Sequence, residues 1–303
     1  MKSNRSVILG TILIGLLLCS VLMAGCTGNS GSTEKTTTTV TAVTTPEAVK
    51  SATSGHVLSV SGSTTVLPIA AKAAEAYMAT HPDLDIQVNG GGSGVGVQSA
   101  GEGTAMIGMA SRDLKTEEKA KYPDLQTHQI AIDGLTFITN TANPIPSLTI
   151  DQVKKIYDGN ITNWKDVGGK DTLIVVVGRD SASGTRDYMT SDVMNKADYV
   201  KTQLEKNSNG AVKQTIEQTP TAIGYVGIGY LDNTIHTVPL SVNGTLITPS
   251  IEAVKAGSYS LSRPLYLLTK GEPNADAAGF IAFLNGPEGQ NIISEEGFVT
   301  ITK

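Results

Sequence analysis

Gly178-Arg179-Asp180-Ser181-Ala182-Ser183-Gly184-Thr185-Arg186-Asp187 is the stretch on which the reading of this chain turns. The apolar run before it, Leu173 to Val177, predicts a buried strand. Tyr188 to Met194, after it, predicts a helix. The chain thus leaves a strand, turns through serine and glycine, and enters a helix. Such a turn offers hydroxyls and orphan backbone N–H groups at a helix N-terminus, here with an arginine on each side. Those are the donors that hold a tetrahedral oxyanion. Taken alone, the stretch reads equally well as an N-capped helix with a surface arginine.

Two upstream segments repeat the pattern. Val57 to Val60 predicts a strand, Ser61-Gly62-Ser63-Thr64-Thr65 a turn, and Val66 to Met78 an alanine-rich helix with Pro68 in its first turn. Asp85 to Asn89 predicts a strand that leads into Gly90-Gly91-Gly92-Ser93-Gly94-Val95-Gly96 and a helix entrance. Those glycines do not fall in the G-x-G-x-x-G spacing of a dinucleotide site. A phosphate-binding P-loop is absent too, since Gly169-Lys170 is followed by Asp171. Strands alternating with helices predict α/β layers, with the Ser/Gly turns at the carboxyl ends of the strands.

The N-terminus stands apart. Lys2 and Arg5 precede an apolar run, Val7 to Met23, and then Ala24-Gly25-Cys26. This predicts a secretory signal over residues 1–25. Its end resembles a lipobox, with Met23 where leucine is usual and Cys26 as the lipidated residue. A retained membrane anchor is the competing reading, although the run is barely long enough for one. Cleavage would remove Cys19 and leave Cys26 alone, so no internal disulfide could form. It would also remove two basic residues and no acidic one, taking the formal charge from −5 to −7. With no basic block either, the balance argues against nucleic acid as a partner. The threonine-rich residues 26–55 cannot bury much apolar area and read as a tether.

Further along, Met106 to Ala110 leads into Ser111-Arg112-Asp113, and Lys115 to Ala120 predicts a helix. Gln129 to Thr139 reads as a long β segment, and Thr149 caps a helix to Tyr157. Residues 195–219 read as helix and polar loop. Asn243-Gly244 marks a hairpin turn, and the run from Leu265 to Thr269 follows Ser262-Arg263-Pro264.

Six segments in this order resemble the phosphate-binding proteins of phosphate ABC transporters, of the type II periplasmic binding protein fold. They are Ser61 to Pro68, Gly91 to Gly96, Ala110 to Asp113, Ile161 to Gly169, Arg179 with Ser183-Gly184-Thr185, and Ser262 to Tyr266. The resemblance covers roughly residues 56–303. It implies an α/β, two-lobed clamp with two hinge crossings, near Leu135–Asn140 and Pro264–Leu268. One lobe would be residues 56–138 plus 265–303, the other 139–264. It implies inorganic phosphate as ligand, a membrane-embedded phosphate ABC permease as partner, and a monomer lipid-anchored on the outer face of the cell membrane through Cys26. The implied phosphate ligands are Thr64 and Thr65 with Ser63 beside them, Ser93, Ser111, Arg179, Ser183, the Gly184 amide and Thr185. Many family members have an aspartate directly after the serine of the third of these segments, where it accepts the ligand proton and excludes sulfate. Here Arg112 follows Ser111 and the acid comes one later, as Asp113. Three readings stand: Asp113 accepts the proton, Arg112 adds positive charge, or both point elsewhere. Asp180 is expected to orient Arg179.

Other function classes are weaker. A serine hydrolase built on Ser183 or Ser93 would need a base, and His56, His81, His128 and His236 all fall in contexts that suit surface or satisfied roles. No H-E-x-x-H or G-x-S-x-G occurs, so neither a catalytic residue nor a metal nor a cofactor is expected. A clamp for sulfate, molybdate or tungstate, or an adhesin or receptor on the same fold, remain as alternatives.

Overall fold

The computed structural model describes residues 56–301. The expected signal, the expected tether with Cys26, and the last two residues lie outside the described residues.

The chain begins with the repeated unit. β1 (His56–Gly62) turns Leu58, Val60 and Gly62 inward. α1 (Leu67–Thr80) follows, with Pro68 in its first turn and Ile69, Ala70, Ala73 and Ala74 packed beneath the strands. β2 (Leu84–Asn89), α2 (Ser93–Glu102) and β3 (Ile107–Ala110) complete a parallel layer in the order β2-β1-β3. α3 (Thr116–Lys121) leads to β4 (Leu125–Asn140), longer than its apolar run predicted.

A second parallel layer follows. α4 (Ile150–Tyr157) opens on a capping box in which Thr149 and Gln152 satisfy each other's backbone amides. β5 (Val175–Arg179), α5 (Gly184–Tyr188), β6 (Leu204–Lys206), α6 (Asn209–Gln218) and β7 (Ala222–Gly227) form the layer β7-β5-β6. β7 is buried along its whole length. β8 (Ile235–Val238) and the hairpin of β9 (Leu240–Val242) and β10 (Thr245–Ile247) come next. The hairpin turns at Asn243-Gly244, both at positive φ. α7 (Ile251–Lys255), β11 (Ser262–Lys270), α8 (Ala275–Asn285), α9 (Pro287–Glu295) and β12 (Val299–Thr300) end the described chain.

β4 and β11 join the two layers. β11 lies between β3 and β4, antiparallel to both. Residues Leu125–Gly134 of β4 pair with β11, and Leu135–Thr139 pair with β7. The sheet therefore passes from one α/β half to the other at Gly134–Leu135, and β11 re-enters the first half at Ser262. The hydrophobic core runs through both halves, from Leu58 and Ile107 through Leu135 and Phe137 to Trp164 and Tyr225.

Two elements differ from expectation. The helix after the Ser/Gly turn starts at Gly184 rather than Tyr188, because the Ser183 hydroxyl accepts from the Arg186 amide and caps it there. It continues as a π turn over Met189–Val193. The polar region 195–219 holds a three-residue strand, β6, recruited by parallel pairing with β5.

Candidate functional site

Four segments converge at the carboxyl ends of β1, β2, β3 and β5. The β1–α1 turn brings Ser63, Thr64 and Thr65, all buried. Ser63 accepts the Thr65 amide through its hydroxyl at 3.2 Å and so shapes the turn. The N-terminus of α2 brings Ser93, and the end of β3 brings Ser111. These two share a hydroxyl–hydroxyl contact of 3.3 Å, and the Ser111 amide donates to Ser93 at 3.0 Å. From the other half come Arg179 at the end of β5 and Ser183, Gly184 and Thr185 at the start of α5, all buried.

The halves touch. The Gly94 amide donates to the Ala182 carbonyl at 2.9 Å, and Thr65 and Thr185 hydroxyls meet at 3.2 Å. Gly184 packs so closely that a Cβ there would lie 2.2 Å from the Ser93 hydroxyl. At Gly92, with φ of +96°, an added Cβ would lie 2.5 Å from the Ala182 carbonyl oxygen. Only glycine permits this approach at either position.

Two guanidinium groups face the cluster. Arg179 donates to the carbonyls of Lys206 and Asn207 at 3.1 and 3.3 Å and to the Thr64 hydroxyl at 3.3 Å. The end of β6 and the loop after it, rather than a hydrogen bond to Asp180, hold this arginine in place. Arg263, on β11, is 2% exposed. It binds Asp133 of β4 through Nε and Nη2 at 3.0 and 2.7 Å, and its Nη2 also reaches the Thr185 and Thr65 hydroxyls at 3.0 and 3.3 Å. One nitrogen of each guanidinium, Nη1 of Arg179 and Nη1 of Arg263, is buried with no hydrogen-bond partner. Asn209, at the start of α6 and fully buried, donates to both Thr64 and Thr65 at 3.1 and 3.0 Å.

The electrostatics favour an anion. Burial lowers the Arg179 pKa, and the charge of Arg263 presses the same way. Burial pushes the Asp133 carboxyl up, while Arg263 and the amides of Ile228 and Gly134 pull it back. Two buried cations stand against one fully buried carboxylate, Asp133, while the half-buried Asp180 acts on Arg179 through its charge. Unpaired buried donors are costly, and an anion that accepts from them removes the cost.

Three groups that bear on the cluster escape sequence reasoning. Arg263 sits in a recognised segment but carries no local sign of facing inward, and Asn209 follows an ordinary helix cap. Asp133 has a legible signal, an acid inside an apolar β segment. The other two expected site residues are turned elsewhere. Arg112 donates to Glu118, to the Asp113 carbonyl and to Asp187. Asp113 is exposed and accepts from the Tyr266 hydroxyl at 2.8 Å. The four histidines bond to Asp276, Tyr77 and Thr80, Thr269 and Ile145 respectively, outside the cluster.

Two α/β halves joined by two strands, closed on a buried, donor-rich, positively charged cluster, define a two-lobed substrate-binding clamp. The chain belongs to the PBP superfamily, whose domain model matches residues 31–288. It is 32% identical over 303 residues to the phosphate-binding protein PstS of Bacillus subtilis, covering 100% of this chain and 96% of that protein. PstS of Borreliella burgdorferi is 33% identical over 255 residues, 81% of this chain and 90% of that protein. Among solved structures, one from Clostridium perfringens, assigned as a phosphate ABC transporter substrate-binding protein and holding phosphate, shares 38% identity with a TM-score of 0.77. The match covers 82% of this chain and 100% of that one. An ABC-type phosphate transport receptor from Vibrio cholerae matches at 34% identity and a TM-score of 0.66, covering 80% and 99%.

Proposed function

We propose that this protein binds inorganic phosphate outside the cytoplasm and delivers it, by hinge closure, to the membrane permease of a phosphate ABC transporter. The observation that carries this reading is the pair of buried, unpartnered Nη1 atoms of Arg179 and Arg263 beside seven buried hydroxyls. Phosphate carries about −1.5 to −2 charge at neutral pH, and its oxygens accept from such donors. The proposed ligands are Thr64, Thr65, Ser93, Arg179, Ser183, the Gly184 amide, Thr185 and Arg263. Ser63, Ser111 and Asn209 shape the site; Arg112 and Asp113 stand outside it. The lobes in this reading are residues 56–134 with 262–301, and 135–261. They close around the ligand because only the closed form makes both sets of contacts.

The same reading makes the protein a monomeric carrier rather than an enzyme, lipid-anchored through Cys26. Among the described residues no helix is long and apolar enough to cross a membrane. A second reading, a broader oxyanion site that also takes sulfate, is favoured by one observation. Asp133, the carboxylate buried at the cluster, spends Oδ2 on Arg263 and Oδ1 on the Ile228 amide.

Calorimetric titration of ligand-stripped protein with phosphate and with sulfate tests both. Tight phosphate binding is expected, with Arg179→Met and Arg263→Met each weakening it by about ten- to a hundredfold. Comparable sulfate binding would select the broader reading. Absence of heat with either anion would overturn the assignment.

A further inference from the structure

Arg112 occupies the position after Ser111, yet its donors are spent away from the anion cluster. It is 7% exposed. Its Nη1 and Nη2 form a fork on Glu118, at 2.7 Å to each carboxylate oxygen, and Nη1 also donates to the Asp113 carbonyl at 2.9 Å. Glu118 lies on α3, in the same half of the molecule, so this pair survives opening. The remaining bond leaves that half. Arg112 Nε donates to Asp187 Oδ2 at 2.6 Å, and Lys115 Nζ donates to the other oxygen of the same carboxylate at 2.9 Å.

Asp187 belongs to α5, the helix whose first turn holds Gly184 and Thr185. A carboxylate two residues after Thr185 is thus gripped by two cations of the opposite half. The contact lines a cleft of about 630 Å³ at the rim of the closed clamp, together with Tyr188 and Arg263. The Tyr188 hydroxyl adds a neutral tie to the Ser262 carbonyl at 3.0 Å.

We infer that Arg112 is a positioning residue: with Lys115 it latches Asp187 and so holds the anion-binding turn of α5 against Ser93 and Ser111, without touching the ligand. Glu118 keeps the Arg112 fork aimed at Asp187 and neutralises it when the clamp opens. Opening then breaks the two bonds to Asp187, and their loss falls on the rate of release. Association proceeds through the open form, where the latch is not yet made, and is little affected.

This inference rests on the phosphate reading, and one experiment separates the two. Phosphate association and release are measured by stopped flow on ligand-stripped wild type, Asp187→Asn, Arg112→Gln and the double variant. Release is expected to quicken about tenfold in Asp187→Asn, with association within about twofold of wild type. Added salt should speed release from wild type and leave Asp187→Asn nearly unmoved. The double variant should release no faster than Asp187→Asn alone, since the two residues act as a pair. The Asp187→Asn unfolding midpoint without ligand should match wild type, which separates a latch from a general structural role. Unchanged release in Asp187→Asn overturns the latch. So does further weakening on adding Arg112→Gln, which would place Arg112 on the anion. Wild type that binds no phosphate would instead overturn the functional reading.

Discussion

Asp133 and Arg263 form the least exposed ion pair among the described residues, with side chains 0% and 1% exposed. Breaking such a pair from one side strands a charge in a low-dielectric site and costs about 3–5 kcal/mol. Asp133→Asn is therefore expected to lower stability by about that amount, read as a drop in the unfolding midpoint. Saturating phosphate should restore part of the loss, because the anion would then be the counter-charge that Arg263 lacks. Equal losses with and without phosphate would mean that Arg263 does not feel the ligand. At this scale the sequence was partly legible. Thr64, Thr65, Ser93 and Ser183 stand in local turns whose chemistry can be read from neighbours. Asp133 and Arg263 lie 130 positions apart, and nothing local to either announces the other.

The Ser/Gly turns were legible at the scale of elements for a related reason. A strand, a turn and a capped helix are set by short-range patterns, so each of the three units is legible from its own residues. What stayed hidden was how the end of one unit meets another. α3 illustrates this. It begins with Glu118 accepting the Lys115 amide at 2.9 Å, a local feature, but the same carboxylate receives the Arg112 fork. Burial works to raise the Glu118 pKa, yet the Arg112 bonds and the Lys115 amide outweigh it and hold the group below its ordinary 4.5. A carboxylate depressed in the folded state stabilises the fold above its ordinary pKa. That contribution is lost as pH falls through the lower folded value. Glu118→Gln should thus be less stable than wild type by about 1–2 kcal/mol at neutral pH. The gap should close on acidification below pH 4.5, as seen by denaturant unfolding across pH. A gap that widened in acid would contradict the Arg112–Glu118 pairing as the source.

For the whole molecule, the decisive feature is where β11 sits. It fills the slot between β3 and β4, although it follows β3 by some 150 positions in the chain. No pattern within β11 indicates that slot; it is settled by the edges that β3 and β4 leave open. A chain cut before Ser262 should keep its first half protease-sensitive, while the second half, lacking only terminal contacts, resists digestion. Equal resistance of the two halves would show that the slot can be closed without β11.

The same insertion sets an order on the birth of the molecule. As the polypeptide emerges from the ribosome or from a secretion channel, β7, β5 and β6 can assemble as soon as they appear. β1, β2 and β3, made earlier, must wait. Until residues 262–270 arrive, β3 and β4 present bare edges able to recruit a neighbouring chain. The part made first is the part finished last, and during that interval the nascent chain depends on being kept from its own copies.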